Sequence, residues 1–108
     1  MEMEVAFFDT SFLTDLLGGQ PEPGMKIEIP GGAVLTFVGH ESRRGALPGV
    51  PDIAKFSVSF GLGVSTSVVA NWLYEKFKRT GNTLRVRKTR VEITPDGIVR
   101  IIQQHLER

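Results

Sequence analysis

The chain has 108 residues, 41% of them hydrophobic, with no cysteine and a formal net charge of +1. This length fits a single domain over residues 1–108, and the missing cysteines exclude disulfides, thiolate metal sites and a cysteine nucleophile. The acidic start of the sequence lacks the basic region of a secretory signal, so we expect a cytoplasmic protein.

The first part of the chain predicts a strand and a short helix. Residues 4–8 suit a strand, and residues 11–17 suit a helix that ends at Gly18 and Gly19. Apolar residues with helical spacing also connect this stretch, so residues 1–17 can instead form one longer helix.

A hairpin and a long loop follow. Pro30-Gly31-Gly32 predicts a turn between strands at 25–29 and 33–39. The loop of residues 40–53 contains apolar residues that either fold back over the sheet or form a small anchor patch with a charged rim. The residues concerned are the apolar Leu47, Val50 and Ile53 and the rim residues Arg43 and Arg44.

A strand followed by a helix gives the clearest pattern. From residue 56 to residue 64 every even position is apolar and every odd position is Ser or Gly, which predicts a strand with one core face. Apolar residues three and four apart then predict a helix over residues 66–79. Residues 56–74 are uncharged over about the length of a bilayer span, but their Ser, Thr, Asn and Gly content predicts that they do not enter a membrane.

The last part of the chain predicts a strand and a helix. Within residues 84–93 the apolar positions change from even to odd numbers, so we expect a β-bulge near Lys88 and Thr89. Thr94 as the cap, with a proline in the first position, predicts a closing helix over residues 95–107.

Together these elements predict an α+β fold with a four- or five-stranded mixed or antiparallel sheet and two main helices in a single layer on one face. The expected core comprises Phe56, Val58, Phe60, Leu62, Val64, Val69, Trp72, Leu73, Phe77, Ile98, Ile102 and Leu106. The Ser and Gly face of the 56–64 strand can meet another element or a second copy, so a homodimer is an open alternative.

Charge is distributed unevenly along the chain. Three basic and eight acidic residues precede Lys55, whereas ten basic and four acidic residues run from Lys55 to the end. A basic strand face can engage the carboxylates of an acidic protein or the phosphates of a nucleic acid, or it can be a solvated outer strand that discourages edge pairing. The candidate partner-binding residues are Arg85, Arg87, Lys88, Arg90, Lys78 and Arg79, joined by Arg43, Arg44, Leu47 and Val50 of the long loop.

These residues favour a small non-enzymatic binding protein that docks on an acidic protein, such as a phage or mobile-element inhibitor or accessory factor. A nucleic-acid-binding domain that uses the same face is the alternative, weakened by the lack of aromatic residues among the bases. His40 and Glu41 offer an acid and base for a third, enzymatic alternative, without a supporting motif. Gly61-Leu62-Gly63 lacks the rest of a phosphate-binding loop, so we expect no cofactor, and a lone histidine predicts no metal site.

Overall fold

The computed structural model describes residues 1–43, 49–81 and 83–107. Within them the chain forms six strands and three α-helices, namely β1 Glu2–Phe7, α1 Phe12–Leu17, β2 Lys26–Ile29, β3 Ala33–Glu41, β4 Asp52–Phe60, α2 Thr66–Phe77, β5 Thr83–Val86, β6 Thr89–Glu92 and α3 Pro95–Leu106. A 3-10 turn at Lys78–Thr80 extends α2. Of the two alternatives for residues 1–17, the strand followed by a helix is the one that forms.

The six strands make one antiparallel sheet in the order β2-β3-β4-β1-β5-β6. Strand β1 comes first in the chain but lies inside the sheet, between β4 and β5. The α+β class is therefore confirmed, and the sheet has six strands rather than four or five. The difference arises because β1 forms and because the 84–93 segment folds as two strands.

The 84–93 segment contains a hairpin where the sequence predicted a β-bulge. Val86 pairs with Thr89, and the two residues between them form the turn, with φ of 52° at Arg87 and 67° at Lys88. A two-residue turn moves the inward-facing positions from even to odd numbers, which is the shift in the apolar pattern. The bulge prediction was therefore wrong. No sign of the hairpin is visible in the sequence, because neither turn residue is the glycine or asparagine that normally marks such a turn.

Phenylalanine rings connect the sheet to the helices through the core. The rings of Phe7 and Phe12 lie 5.3 Å apart, those of Phe12 and Phe77 5.9 Å, those of Phe77 and Phe56 5.5 Å, and those of Phe56 and Phe37 5.7 Å. All five side chains are buried, and tilted ring pairs at these distances are favourable. The chain of rings joins β1, α1, α2, β4 and β3 in one hydrophobic core.

Two members of the expected core lie at the surface instead. Strand β4 ends at Phe60, and Leu62 stands in the following turn with its side chain fully exposed. The Gly61 N–H donates to the Gly32 carbonyl, which holds the end of β4 against the β2–β3 connection, and the chain turns toward α2 directly afterwards. Leu106, at the last position of α3, is 41% exposed, since the buried stripe of that helix is made by Ile98 and Ile102.

Helix α3 is placed tightly beneath the end of β6. The Thr94 side chain accepts the Gly97 N–H at 3.0 Å, as the sequence predicted for the cap. A Cβ on Gly97 would lie 2.8 Å from the Glu92 carbonyl oxygen, so glycine permits this close approach. Within the described residues, no helix has both the length and the apolar character needed to cross a membrane.

The two faces of the sheet differ in what covers them. Buried strand residues point to the face that carries the helices, and the alternate residues point to the opposite face, which we call the open face. Ser57 and Ser59 lie on the open face as expected, together with charged residues of β1, β4, β5 and β6. Any partner of the open face must therefore meet polar and charged side chains.

Candidate functional site

One row of the open face carries four charged residues on four neighbouring strands. Lys55 pairs with Glu4, Glu4 pairs with Arg85, and Arg85 pairs with Arg90. Strand alternation places all four side chains on the open face. The row is +2 overall because one acid accompanies three bases.

Arg85 and Arg90 form a like-charge pair at the outer end of this row. A two-residue turn makes Val86 and Thr89 a hydrogen-bonded pair, so Arg85 and Arg90 are a non-hydrogen-bonded pair with side chains in close proximity. Like charges directly opposite each other are destabilising. Among the residues that the structure describes, neither guanidinium has an acid within 4.0 Å. Anionic groups supplied from outside can therefore relieve the repulsion.

A shallow cavity of about 300 Å³ lies beside Arg85. Its lining includes Val38, which is 49% exposed, and Phe56, whose side chain is buried in the core. The charged residues around it are Glu2, Glu4, Lys55, Arg85, Arg87 and Lys88. The cavity is thus a mainly basic depression with two acids and a small apolar area, which suits carboxylates presented by a protein better than a uniform polyanion.

The hairpin turn gives Arg87 and Lys88 different surroundings. Arg87 Nη2 lies 2.6 Å from His105 Nδ1 on α3. Burial lowers the pKa of His105, which favours the neutral ring that can accept this hydrogen bond. Arg87 is therefore held toward the helix side, whereas Lys88 is exposed at the tip of the turn.

Lys78 and Arg79 lie at the other end of β5 and already have acidic neighbours. Lys78 Nζ is 2.7 Å from Glu75 Oε2. Arg79 pairs with Asp9, and its Nη1 is 3.1 Å from Asp15 Oδ2. The hydrogen bonds from Arg79 and then from Ser11 lower the pKa of Asp9 to about 2. These two cations lie apart from the basic hairpin and interact with the molecule's own carboxylates.

Asp52, a buried carboxylate at the start of β4, contacts residues at the end of β3 and just after it. Its Oδ1 accepts the Arg43 N–H at 2.9 Å, and its Oδ2 lies 3.6 Å from His40 Nε2. The Arg43 side chain is directed to Glu41, 3.6 Å away. Val50 is half-buried.

The described part of the loop between β3 and β4 is distant from the β5–β6 hairpin. Arg44 and Leu47 lie outside the described residues. Beside the loop, Glu41 of β3 pairs with Ile53 of β4. Beside the hairpin turn, Val86 pairs with Met3, which is level with Phe56 of β4 rather than with Ile53. Strand β5 lies three strands from β3 in the sheet. Strand geometry then separates the described ends of the loop from the hairpin turn by roughly 20 Å. The predicted site residues that the structure describes therefore divide among three places rather than forming one patch.

The features considered for catalysis and cofactors have local structural roles. His40 contacts Asp52 and the ring of Phe7, with centroids 5.5 Å apart. Gly63 adopts a positive φ of 72° in the turn before α2. Within residues 1–43, 49–81 and 83–107 no three His, Asp or Glu residues are grouped as metal ligands.

Sequence reasoning missed two residues that belong to the open-face site. Lys55 and Glu4 flank Arg85 through the central strand β1, although they are far from Arg85 in the chain. Alternation within each strand could have assigned their face, but only the strand order makes them neighbours. No family model matches the chain, and no curated protein or solved structure matches it at a significant level.

Proposed function

We propose that the protein is a non-enzymatic binding module that docks an acidic protein surface on the open face of its sheet, where it serves as an inhibitor or accessory factor. The contact is centred on Arg85, with Lys55, Lys88 and Arg90 around it. The observation that carries this proposal is the Arg85–Arg90 pair, two arginines opposite each other on neighbouring strands, neither of which has a carboxylate of the described residues within 4.0 Å of its guanidinium group. Carboxylates bind arginine with strong, often bidentate hydrogen bonds.

The charges around the cavity favour a protein over a nucleic acid. Glu2 and Glu4 lie on β1 between β4, which carries Lys55, and β5, which carries Arg85. A phosphate backbone that crossed this face would meet both acids, whereas a protein can place a cation opposite each of them. The exposed aromatic ring of the described residues, Phe8, follows the end of β1 away from the hairpin and provides no stacking platform beside the bases.

The experiment compares two variants that each remove two positive charges. Arg85→Ala/Lys88→Ala changes the open face, and Lys76→Ala/Lys78→Ala removes the same charge from the end of α2 and the 3-10 turn that follows it. The wild type and both variants are used as baits in nuclease-treated extract of the native host. Each captured protein is then purified, and its affinity for the three baits is measured by titration. We expect the open-face variant to lose at least tenfold in affinity while the control matches the wild type.

Other results would contradict the proposal. If both variants bind the captured protein equally well, the open face is not part of the contact. A nucleic acid recovered in place of a protein, with an affinity for duplex or single strands that falls steeply as salt increases, would favour the alternative function.

A further inference from the structure

Strand β6 is an edge of the sheet with unpaired backbone groups. It is the last strand in the sheet order, so β5 is its only neighbour among the strands that the structure describes. Val86–Thr89 and Leu84–Val91 are the hydrogen-bonded pairs of this hairpin, which leaves the N–H and C=O groups of Arg90 and Glu92 pointing away from the sheet. The Glu92 carbonyl accepts the Thr94 N–H at 2.9 Å and retains a second lone pair.

A groove follows this edge between β6 and α3. It has a volume of about 460 Å³, and its lining includes the buried Val91 and the partly accessible side chain of Ile101. Its charged residues are Arg90 and Arg100 with Glu92 and Asp96. The two bases and two acids balance, so a second copy of the same groove can approach without net repulsion.

The sequence of β6 is complementary to itself in antiparallel register. A two-fold axis through Val91 places Arg90 opposite Glu92 of the second copy, and Glu92 opposite Arg90 of the second copy. In each opposite pair the Glu92 N–H can donate to the outward-pointing Arg90 carbonyl of the second copy. The Arg90 N–H would have to share the Glu92 carbonyl with the Thr94 N–H, beside Gly97. The side chains of Arg90 and Glu92 share the open face, where opposite charges across a ladder are favourable.

Other registers of the same ladder are worse. An axis through Arg90 places two arginines opposite each other, and an axis through Glu92 places two glutamates opposite each other. An axis between two residues would place a residue with outward-pointing backbone groups opposite a residue whose backbone groups are already bonded to β5. The charge pattern therefore selects the register centred on Val91.

We infer that the protein forms a homodimer in which the two β6 edges pair about a two-fold axis at Val91 and join the sheets into one of twelve strands. Glu92 of the second copy then neutralises Arg90 and relieves its repulsion with Arg85. The inference does not rest on the proposed function. In the dimer Arg90 is occupied by Glu92 of the second copy, and the contact with an acidic partner is then made by Arg85, Lys88 and Lys55, which remain accessible on the open face. Both open faces point to the same side of the joined sheet.

The test uses charge reversal in single and double variants. Sedimentation equilibrium over micromolar to millimolar protein compares the wild type with Arg90→Glu, Glu92→Arg and the combined Arg90→Glu/Glu92→Arg. Each single variant creates two like-charge pairs across the axis, so the dimer dissociation constant should rise about tenfold or more. The double variant restores opposite charges at every pair and should return the dissociation constant to within about threefold of wild type.

A second measurement locates the interface in the unmodified protein. Hydrogen exchange at the Arg90 and Glu92 amides should slow as protein concentration increases. Arg90→Glu places an acid opposite Arg85 within each chain, so this variant is expected to fold, which a thermal melt will check.

Three outcomes would overturn the inference. These are a wild-type mass of 11.9 kDa at every concentration, a dimer that both single variants leave intact, and a dimer that the double variant does not restore. Because Arg85→Ala/Lys88→Ala changes neither member of the Arg90–Glu92 pairs, failure of the dimer and failure of partner binding are distinguishable.

Discussion

Asp9 belongs to an ion-pair cluster that ties the end of β1 to the helices. Its carboxylate accepts hydrogen bonds from Arg79 and from the side chain and N–H of Ser11, and Arg79 also reaches Asp15 on α1. The same contacts raise the pKa of Arg79. At this scale each charge is explained by its immediate neighbours.

The cluster predicts a specific acid sensitivity. The pKa of Asp9 is about 2 in the folded chain against an ordinary value of 3.8. The unfolded state therefore binds a proton more readily, so the stabilisation is present above about pH 4 and is lost as the pH falls through about 2. Urea unfolding between these values should show a smaller loss of stability in Arg79→Ala than in the wild type. An NMR titration in which wild-type Asp9 protonates at its ordinary value would contradict this prediction.

The β5–β6 hairpin shows how an element can oppose local preference. Arg87 and Lys88 both adopt a left-handed backbone conformation that side chains with a Cβ rarely occupy. The strands fix this conformation, because Leu84 pairs with Val91 on the core face and both are buried. The turn thus keeps two cations at a position where glycine would be less strained.

Lys88→Gly should consequently increase stability while it weakens partner binding. Glycine removes the strain of the left-handed conformation, but it also has more freedom in the unfolded chain, which offsets part of the gain. The free energy of unfolding should therefore increase by about 0.5–1 kcal/mol. Lys88→Ala removes the same charge and retains the Cβ, so it should match the wild type in stability and Lys88→Gly in binding. Urea denaturation of the three proteins is the measurement. A Lys88→Gly protein no more stable than Lys88→Ala would show that the turn is unstrained.

The limits of sequence reasoning also appear at the scale of elements. Helices α2 and α3 were predicted closely because their spacing and the Thr94 cap depend on residues within about one turn. The turn at Arg87 was missed because the strands impose it against the residues' own preference. Lys55 joins the candidate site only through the order of the strands, which no local pattern in a single sequence encodes.

The whole molecule depends on one core that connects the helical layer to the sheet. Phe77 lies at its centre, fully buried, with its ring close to Phe12 of α1 and Phe56 of β4. The open face and the β6 edge are both positioned by this core, since β5 is bonded to β1, which contributes Phe7, and β6 is bonded to β5. Damage at Phe77 should therefore reach every element.

Replacement of Phe77 by alanine should cost about 3–5 kcal/mol. That loss is a large part of the roughly 5–15 kcal/mol that holds a domain of this size folded. Phe8→Ala is the matched control, because Phe8 is 55% exposed and a surface change of this kind should cost no more than about 0.5 kcal/mol. Guanidinium denaturation followed by tryptophan fluorescence and by far-ultraviolet circular dichroism measures both variants. Tryptophan fluorescence reports on α2, which carries Trp72, whereas most of the circular dichroism signal comes from the other elements. Because these elements share one core, the two signals should change together in Phe77→Ala. Separate transitions, or equal losses in the two variants, would show that the layers do not share one cooperative core.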